Sequence, residues 1–226
     1  MRAGDGTIHR SVLRTAGFAV LAMALLQSAA LACYSGLVLI PTTDVTGNLQ
    51  CSLDLQWQGY SRVLKTDQLV INTEVGLGDR FEAGVDVDAS PGHVERRVLL
   101  NGKYVFLKNG RFGFSAALGV QNMDSRFSPH PYAVCTKAWG AFRAHLGVLR
   151  EQDGRGNHGF FGADWTVAER WQFMADHTAG PGNFSSAGVV WMGQGWQILA
   201  GAQWPNGGGR PLAVIHVILT GAFARR

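Results

Sequence analysis

Charge is scarce in this chain. Of 226 residues, 16% are Asp, Glu, Lys or Arg, against roughly 25% in a typical soluble domain. That scarcity argues against an ordinary water-facing surface. No basic patch stands out, so nucleic acid is not an expected partner. Cysteine is scarce as well. Cys33, Cys51 and Cys135 show no C-x-x-C spacing and make no zinc site. Neither a G-x-S-x-G nor an H-E-x-x-H motif occurs, and Asn206–Arg210 (NGGGR) leads from strand to strand, not into the helix a phosphate cradle needs. No cofactor, metal or catalytic group is therefore expected.

What is present points to strands. The chain holds 30 Gly and 7 Trp, and 46% of it is hydrophobic. Residues 1–32 read as a cleaved signal peptide: Arg2, Arg10 and Arg14, then the apolar run Ala16–Leu26, then Ala30-Leu31-Ala32 before the cut. A run of 11 residues is short beside the roughly 20 of a spanning helix. The alternative is an N-terminal anchor. Cys33 would lead the mature chain and is a candidate for lipidation, although Ala30 stands where a lipoprotein box usually has Leu. In an exported chain Cys51 and Cys135 are then the pair available for a disulfide. The mature chain keeps 17 basic and 15 acidic side chains, so its net charge is near +2.

Period-two alternation runs through residues 49–226, expected as one barrel domain behind a lead-in over residues 33–48. That lead-in, Ser35–Thr43, is apolar and stops at Pro41, which cannot donate to a ladder. In the hairpin Thr73–Asp88, Phe81, Ala83, Val85 and Val87 alternate with Glu82, Gly84, Asp86 and Asp88. Gly78-Asp79-Arg80 between its strands is a turn signal. The pattern repeats to about 12 strands, with short and long connections in alternation. Such alternation predicts an all-β, antiparallel up-and-down transmembrane β-barrel of the bacterial outer membrane, with short periplasmic turns and longer outer loops. Lipid is then its surroundings. A soluble exported barrel or sandwich is the alternative.

Aromatic residues gather beside the short turns: Phe81, Phe106, Phe112, Trp165, Trp171, Trp191 and Trp196. Rings in that place form a girdle at the lipid–water boundary. The opposite face carries Glu74, Glu82, Asp86, Asp88, Lys103, Arg143, His145, Asp164 and Asp176, expected to face the lumen. Gly76, Gly84, Gly113, Gly119, Gly147 and Gly162 on the same face leave room beside them. The sequence supports a hydrated, salt-bridged lumen, or a pore biased toward cations or polar sugars. It also leaves open a structural or interaction protein of the envelope. Less support exists for a membrane-embedded hydrolase using His145 with Asp164 or Asp176.

Gly36-Leu37, Pro41-Thr42 and the first amphipathic strand after them resemble the G-L-x-x-x-P-T opening of the YjbH-like family. Its members are exported outer-membrane barrels associated with exopolysaccharide production. The resemblance covers residues 35–120. It implies a barrel fold and polysaccharide or small polar solutes as partners, and it brings no catalytic residues. The chain is shorter than the family's full-length members. Its end also departs from the usual aromatic finish, since Phe223 is followed by Ala224-Arg225-Arg226.

Overall fold

The computed structural model describes residues 35–60, 67–90, 97–123, 129–151 and 156–222. The signal peptide, Cys33 and Phe223 lie outside them. Twelve strands follow in order: β1 (Gln50–Gly59), β2 (Gln68–Leu77), β3 (Phe81–Asp88), β4 (Val98–Gly110), β5 (Phe114–Met123), β6 (His130–Trp139), β7 (Phe142–Glu151), β8 (Gly156–Ala168), β9 (Trp171–Thr178), β10 (Phe184–Gly193), β11 (Trp196–Pro205) and β12 (Leu212–Ala222). Each pairs antiparallel with its sequence neighbour, and β1 pairs with β12 from Gln50↔Ala222 to Gly59↔Ala213, closing the barrel. Closure satisfies every edge, which a membrane demands of a β structure.

Alternation sets which face each residue takes. Leu146, Phe161 and Val148 are 67%, 58% and 58% exposed, while Glu82, Lys103, His145, Asp164 and Asp176 are buried. Large apolar groups therefore lie outside and charges inside, the reverse of a soluble protein. Along the outward positions, Lys137 near the short turns and Arg150 near the long loops are the charged groups at either end of the strands.

One hairpin differs from expectation. In the sequence, Lys108-Asn109-Gly110-Arg111 carries an Asn-Gly turn signal and Phe112 begins the alternating run after it, which predicts a turn over 108–111 and a strand from Phe112. Instead β4 runs on to Gly110, the turn is a short 3-10 element at Arg111–Gly113, and β5 starts at Phe114. The cause lies in the backbone. Asn109 and Phe112 both take positive φ, 49° and 67°, so the chain reverses after a bulged stretch between Val105 and Gly110. Gly113 thus belongs to the turn (φ 74°) and not to the wall. Cys51 on β1 and Cys135 on β6 are free thiols, so the disulfide they were available to form is not made.

Residues 35–48 do not lie outside the barrel as a simple lead-in. They fill its lumen.

Candidate functional site: a plugged lumen

Ser35–Thr43 folds back on itself. Leu37 N donates to Ile40 O at 2.9 Å, Thr42 N to Ser35 O at 3.2 Å, and Gly36 pairs with Pro41. Pro41 lacks an N–H, so a hairpin with no neighbouring strand suits it better than a ladder would. The chain then descends to the short-turn end. There Gly78 N donates to Asn48 Oδ1 at 3.0 Å and Leu49 N to Gly76 O at 3.0 Å, and β1 begins.

Inward-facing side chains from opposite walls grip this segment. On β9, Asp176 accepts from Leu39 N at 2.9 Å and from the Ser186 hydroxyl of β10. Glu82 on β3 accepts from Thr46 N at 2.6 Å and Thr46 Oγ1 at 2.8 Å. Glu74 on β2 accepts from the Ser35 hydroxyl at 2.8 Å. Lys103 on β4 donates to Ser35 O at 2.9 Å and pairs with Glu82 at 3.2 Å. Arg143 on β7 reaches Asp44 at 2.8 Å and Asp164 at 3.0 Å. A segment bonded to β2, β3, β4, β7 and β9 at once must sit in the middle.

The tip of the hairpin is apolar and meets an apolar part of the wall. Leu37, Val38 and Ile40 are at most 2% exposed and share one cluster with Tyr132, Val134, Leu149, Phe160, Met174, Val190, Leu199 and Val214. Two glycines make room for it. A Cβ at Gly162 would lie 2.6 Å from Leu37 Cδ1 and 2.8 Å from Ile40 Cδ1, and one at Gly76 would strike the backbone of Thr46 and Gly47. Glycine here lets another chain segment approach, and does not leave open water.

All nine lumen candidates stand on the inward face by strand parity. Seven take part in the grip or its immediate support: Glu74, Glu82, Lys103, Arg143, Asp176, and Asp164 with His145 behind Arg143. Asp86 instead accepts from Asn72 Nδ2 at 2.5 Å, higher in the lumen, and Asp88 accepts from Ser90 N at 2.9 Å near the loop end. Sequence reasoning missed the other half of the contacts, Ser35, Asp44 and Thr46. Asp44 and Thr46 lie in Asp44–Asn48, which reads as a turn, and Ser35 opens the apolar lead-in.

His145 sits in a relay of its own. Its Nδ1 faces Thr136 Oγ1 at 2.8 Å and its Nε2 faces Asp164 Oδ2 at 2.8 Å. The order hydroxyl, imidazole, carboxylate is that of a nucleophile relay. Asp164 is also held by Arg143 and by Gln172 Nε2 at 2.8 Å. Thr136 and His145 line neither of the two cavities described below, so the relay anchors Arg143 beneath the plug.

One cavity, of about 240 Å³, lies beside the hairpin on the β1–β6 side. Its floor is Ser35, Gly36 and Val38–Pro41. Its walls include Gln56, Asn72, Asp86, Asn101, Gln121 and Asn122, with Glu74, Glu82 and Lys103 below. Gln56, Asp86, Asn101, Gln121 and Asn122 are part-exposed while Glu82 and Lys103 are buried, so the chamber opens toward the long loops and ends at the plug. A second cavity, between His177, Ser185, Trp204 and Asn206, is a shallow recess at the loop end.

The seven girdle aromatics lie on or beside the short turns. Phe81, Phe106, Phe112, Trp165, Trp171 and Trp191 are exposed and Trp196 is half-buried. Trp171 stacks on Trp191 at 6.2 Å, and Trp196 meets Trp191 edge-on at 4.8 Å. Lys137 places its ammonium 4.7 Å from the Phe114 ring centre and 5.4 Å from that of Trp139.

Neither a protein-family model nor a curated protein matches the sequence. Solved structures do match in shape. The KdgM porin superposes with a TM-score of 0.57 at 13% identity, over 76% of this chain and 99% of that one. A KdgM porin in complex with disordered oligogalacturonate matches with the same TM-score at 11% identity, over 76% of this chain and 99% of that one. The NanC porin gives 0.53 at 10%, over 76% and 100%. This chain therefore has the fold of these porin barrels: closed, antiparallel and built almost wholly of strands.

Proposed function

We propose that this chain is a non-catalytic, porin-like barrel of the bacterial outer membrane whose lumen is shut by its own residues 35–48. The observation that carries the membrane reading is the inverted exposure, with Leu146 and Phe161 outside and Lys103 and Glu82 within. Reversing it would be costly, because Arg or Lys on the lipid face loses about 2–4 kcal/mol at the midplane. The short turns then face the periplasm and the long loops face outward. Phe81, Phe106, Phe112, Trp165, Trp171, Trp191 and Trp196 anchor the periplasmic boundary. The nine lumen residues are, for the most part, the socket of the plug.

Solutes pass only when the hairpin leaves. Planar-bilayer recordings of the full chain should show a closed barrel with rare openings, and recordings after deletion of residues 35–47 should show steady conductance. If both stay silent, the channel reading falls. A structural or interaction barrel of the envelope is then the better account, and the packed lumen favours it. The G-L-x-x-x-P-T opening of the stretch that resembles the YjbH-like family, residues 35–120, lies in the hairpin, so an association with exopolysaccharide production would act through the plug. Loss of exopolysaccharide on Gly162→Leu, with the barrel still folded, would support that link. Unchanged output would break it.

A further inference from the structure

We infer that the chamber above the plug binds a small polyhydroxylated solute that carries no negative charge, namely a neutral or amino-bearing sugar ring. This rests on the porin-like reading only for access from the loop side. At roughly 30 Å³ per water, a chamber of about 240 Å³ has room for one hexose-sized solute in place of its water.

The lining favours hydroxyl groups. Asn72, Asn101, Gln121 and Asn122 present carboxamides around the walls. Asn72 gives one amide hydrogen to Asp86 and Asn101 Oδ1 accepts from Asn122 N at 2.9 Å, and the remaining amide hydrogens and oxygens of the four can serve both atoms of a sugar hydroxyl. Carboxylates add acceptors only. Asp86 meets the amide of Asn72 at 2.5 Å, and Glu74 meets the hydroxyl of Ser35 at 2.8 Å.

Among the described lining residues the single cation is already engaged. Lys103 pairs with Glu82 at 3.2 Å and donates to Ser35 O at 2.9 Å. An anionic solute would face Asp86 with no free cation among the described lining residues, in a partly desolvated space where like charges repel more than in water. A solute bearing an ammonium meets the opposite situation. The chamber therefore ranks amino sugar at or above neutral sugar, and both above uronate. That order is opposite to what a polyanion such as the oligogalacturonate seen with the KdgM porin would require.

Titration calorimetry on the full chain in lipid nanodiscs tests this with three probes alike in ring and different in charge: glucosamine, glucose and glucuronate. Glucosamine and glucose should bind, and glucuronate at least tenfold more weakly. Asp86→Asn should shrink the glucosamine-to-glucuronate ratio severalfold. Gln121→Ala, at a part-exposed wall position, should weaken glucose severalfold. Retained heat-modifiable migration shows that each variant is folded. Equal binding of glucuronate, no heat with any probe, or an unchanged ratio in a folded Asp86→Asn variant overturns the inference. These are equilibrium measurements, so a chain that binds without conducting would refute only the channel reading.

Discussion

Lys103 is an ammonium group only 4% exposed in the wall of the barrel, and Glu82, equally enclosed, lies 3.2 Å away. Glu82 also receives both the N–H and the hydroxyl of Thr46, so one carboxylate binds wall to wall and wall to plug. Removing one partner of a buried pair leaves the other charge uncompensated and costs roughly 3–5 kcal/mol. Glu82→Gln should therefore lower the unfolding free energy by about that much in urea titrations, with an unchanged denaturant slope. Adding Lys103→Met should recover part of the loss, since no orphan charge remains. If the double variant falls by the sum of the two single losses, the pair is not coupled. That both residues face inward was legible from the alternation Phe81–Asp88 and Asn101–Val105. Their use as a socket was not, because nothing local in the strands shows that Thr46 comes to them.

Among the elements, the strands were legible and the plug was not, for one physical reason. A strand in a barrel repeats its environment every second residue, so its pattern is written within ten residues. The plug hairpin has no such period. Its contacts are distant, with Leu39 and Asp176 separated by 137 positions, and Ser35–Thr43 alone reads as an apolar lead-in. The β4–β5 turn was misplaced for a different reason: Phe112 takes a positive φ that a bulky aromatic rarely adopts. The hairpin can be locked in place. A Cβ at Gly188 would lie 3.4 Å from Val38 Cγ2, so Val38→Cys with Gly188→Cys, in a chain whose Cys51 and Cys135 are Ser, should crosslink under oxidation. Bilayer recordings should then lose the rare openings and regain them on reduction. Openings that persist in the crosslinked barrel would show that current does not require the hairpin to move.

At the scale of the whole molecule, the outside of the barrel decides between water and lipid. Leu146 lies near the middle of β7 and is 67% exposed. Leu146→Arg should destabilise the barrel by about 2–4 kcal/mol when unfolding is followed in lipid vesicles. In a water-facing barrel the same change would be near neutral, so a shift within about 0.5 kcal/mol would remove the membrane reading. A second measurement is gel migration. The unheated chain should run faster than the boiled one, because the closed β1–β12 seam keeps the barrel compact in detergent. At that seam Asp54 and His216 approach within 3.2 Å inside the lumen.

The plug precedes β1 in the chain, yet it shares its apolar cluster with Val190 of β10, Leu199 of β11 and Val214 of β12. The earliest described residues are thus covered by the last strands to be synthesised. A wall that finished closing first would leave only its mouths for entry. The expected order of assembly has the hairpin in place as the seam zips, with the final strands docking on Leu37, Val38 and Ile40 as a template. Such long-range closure is slow, and the interior and the wall reach their final state together.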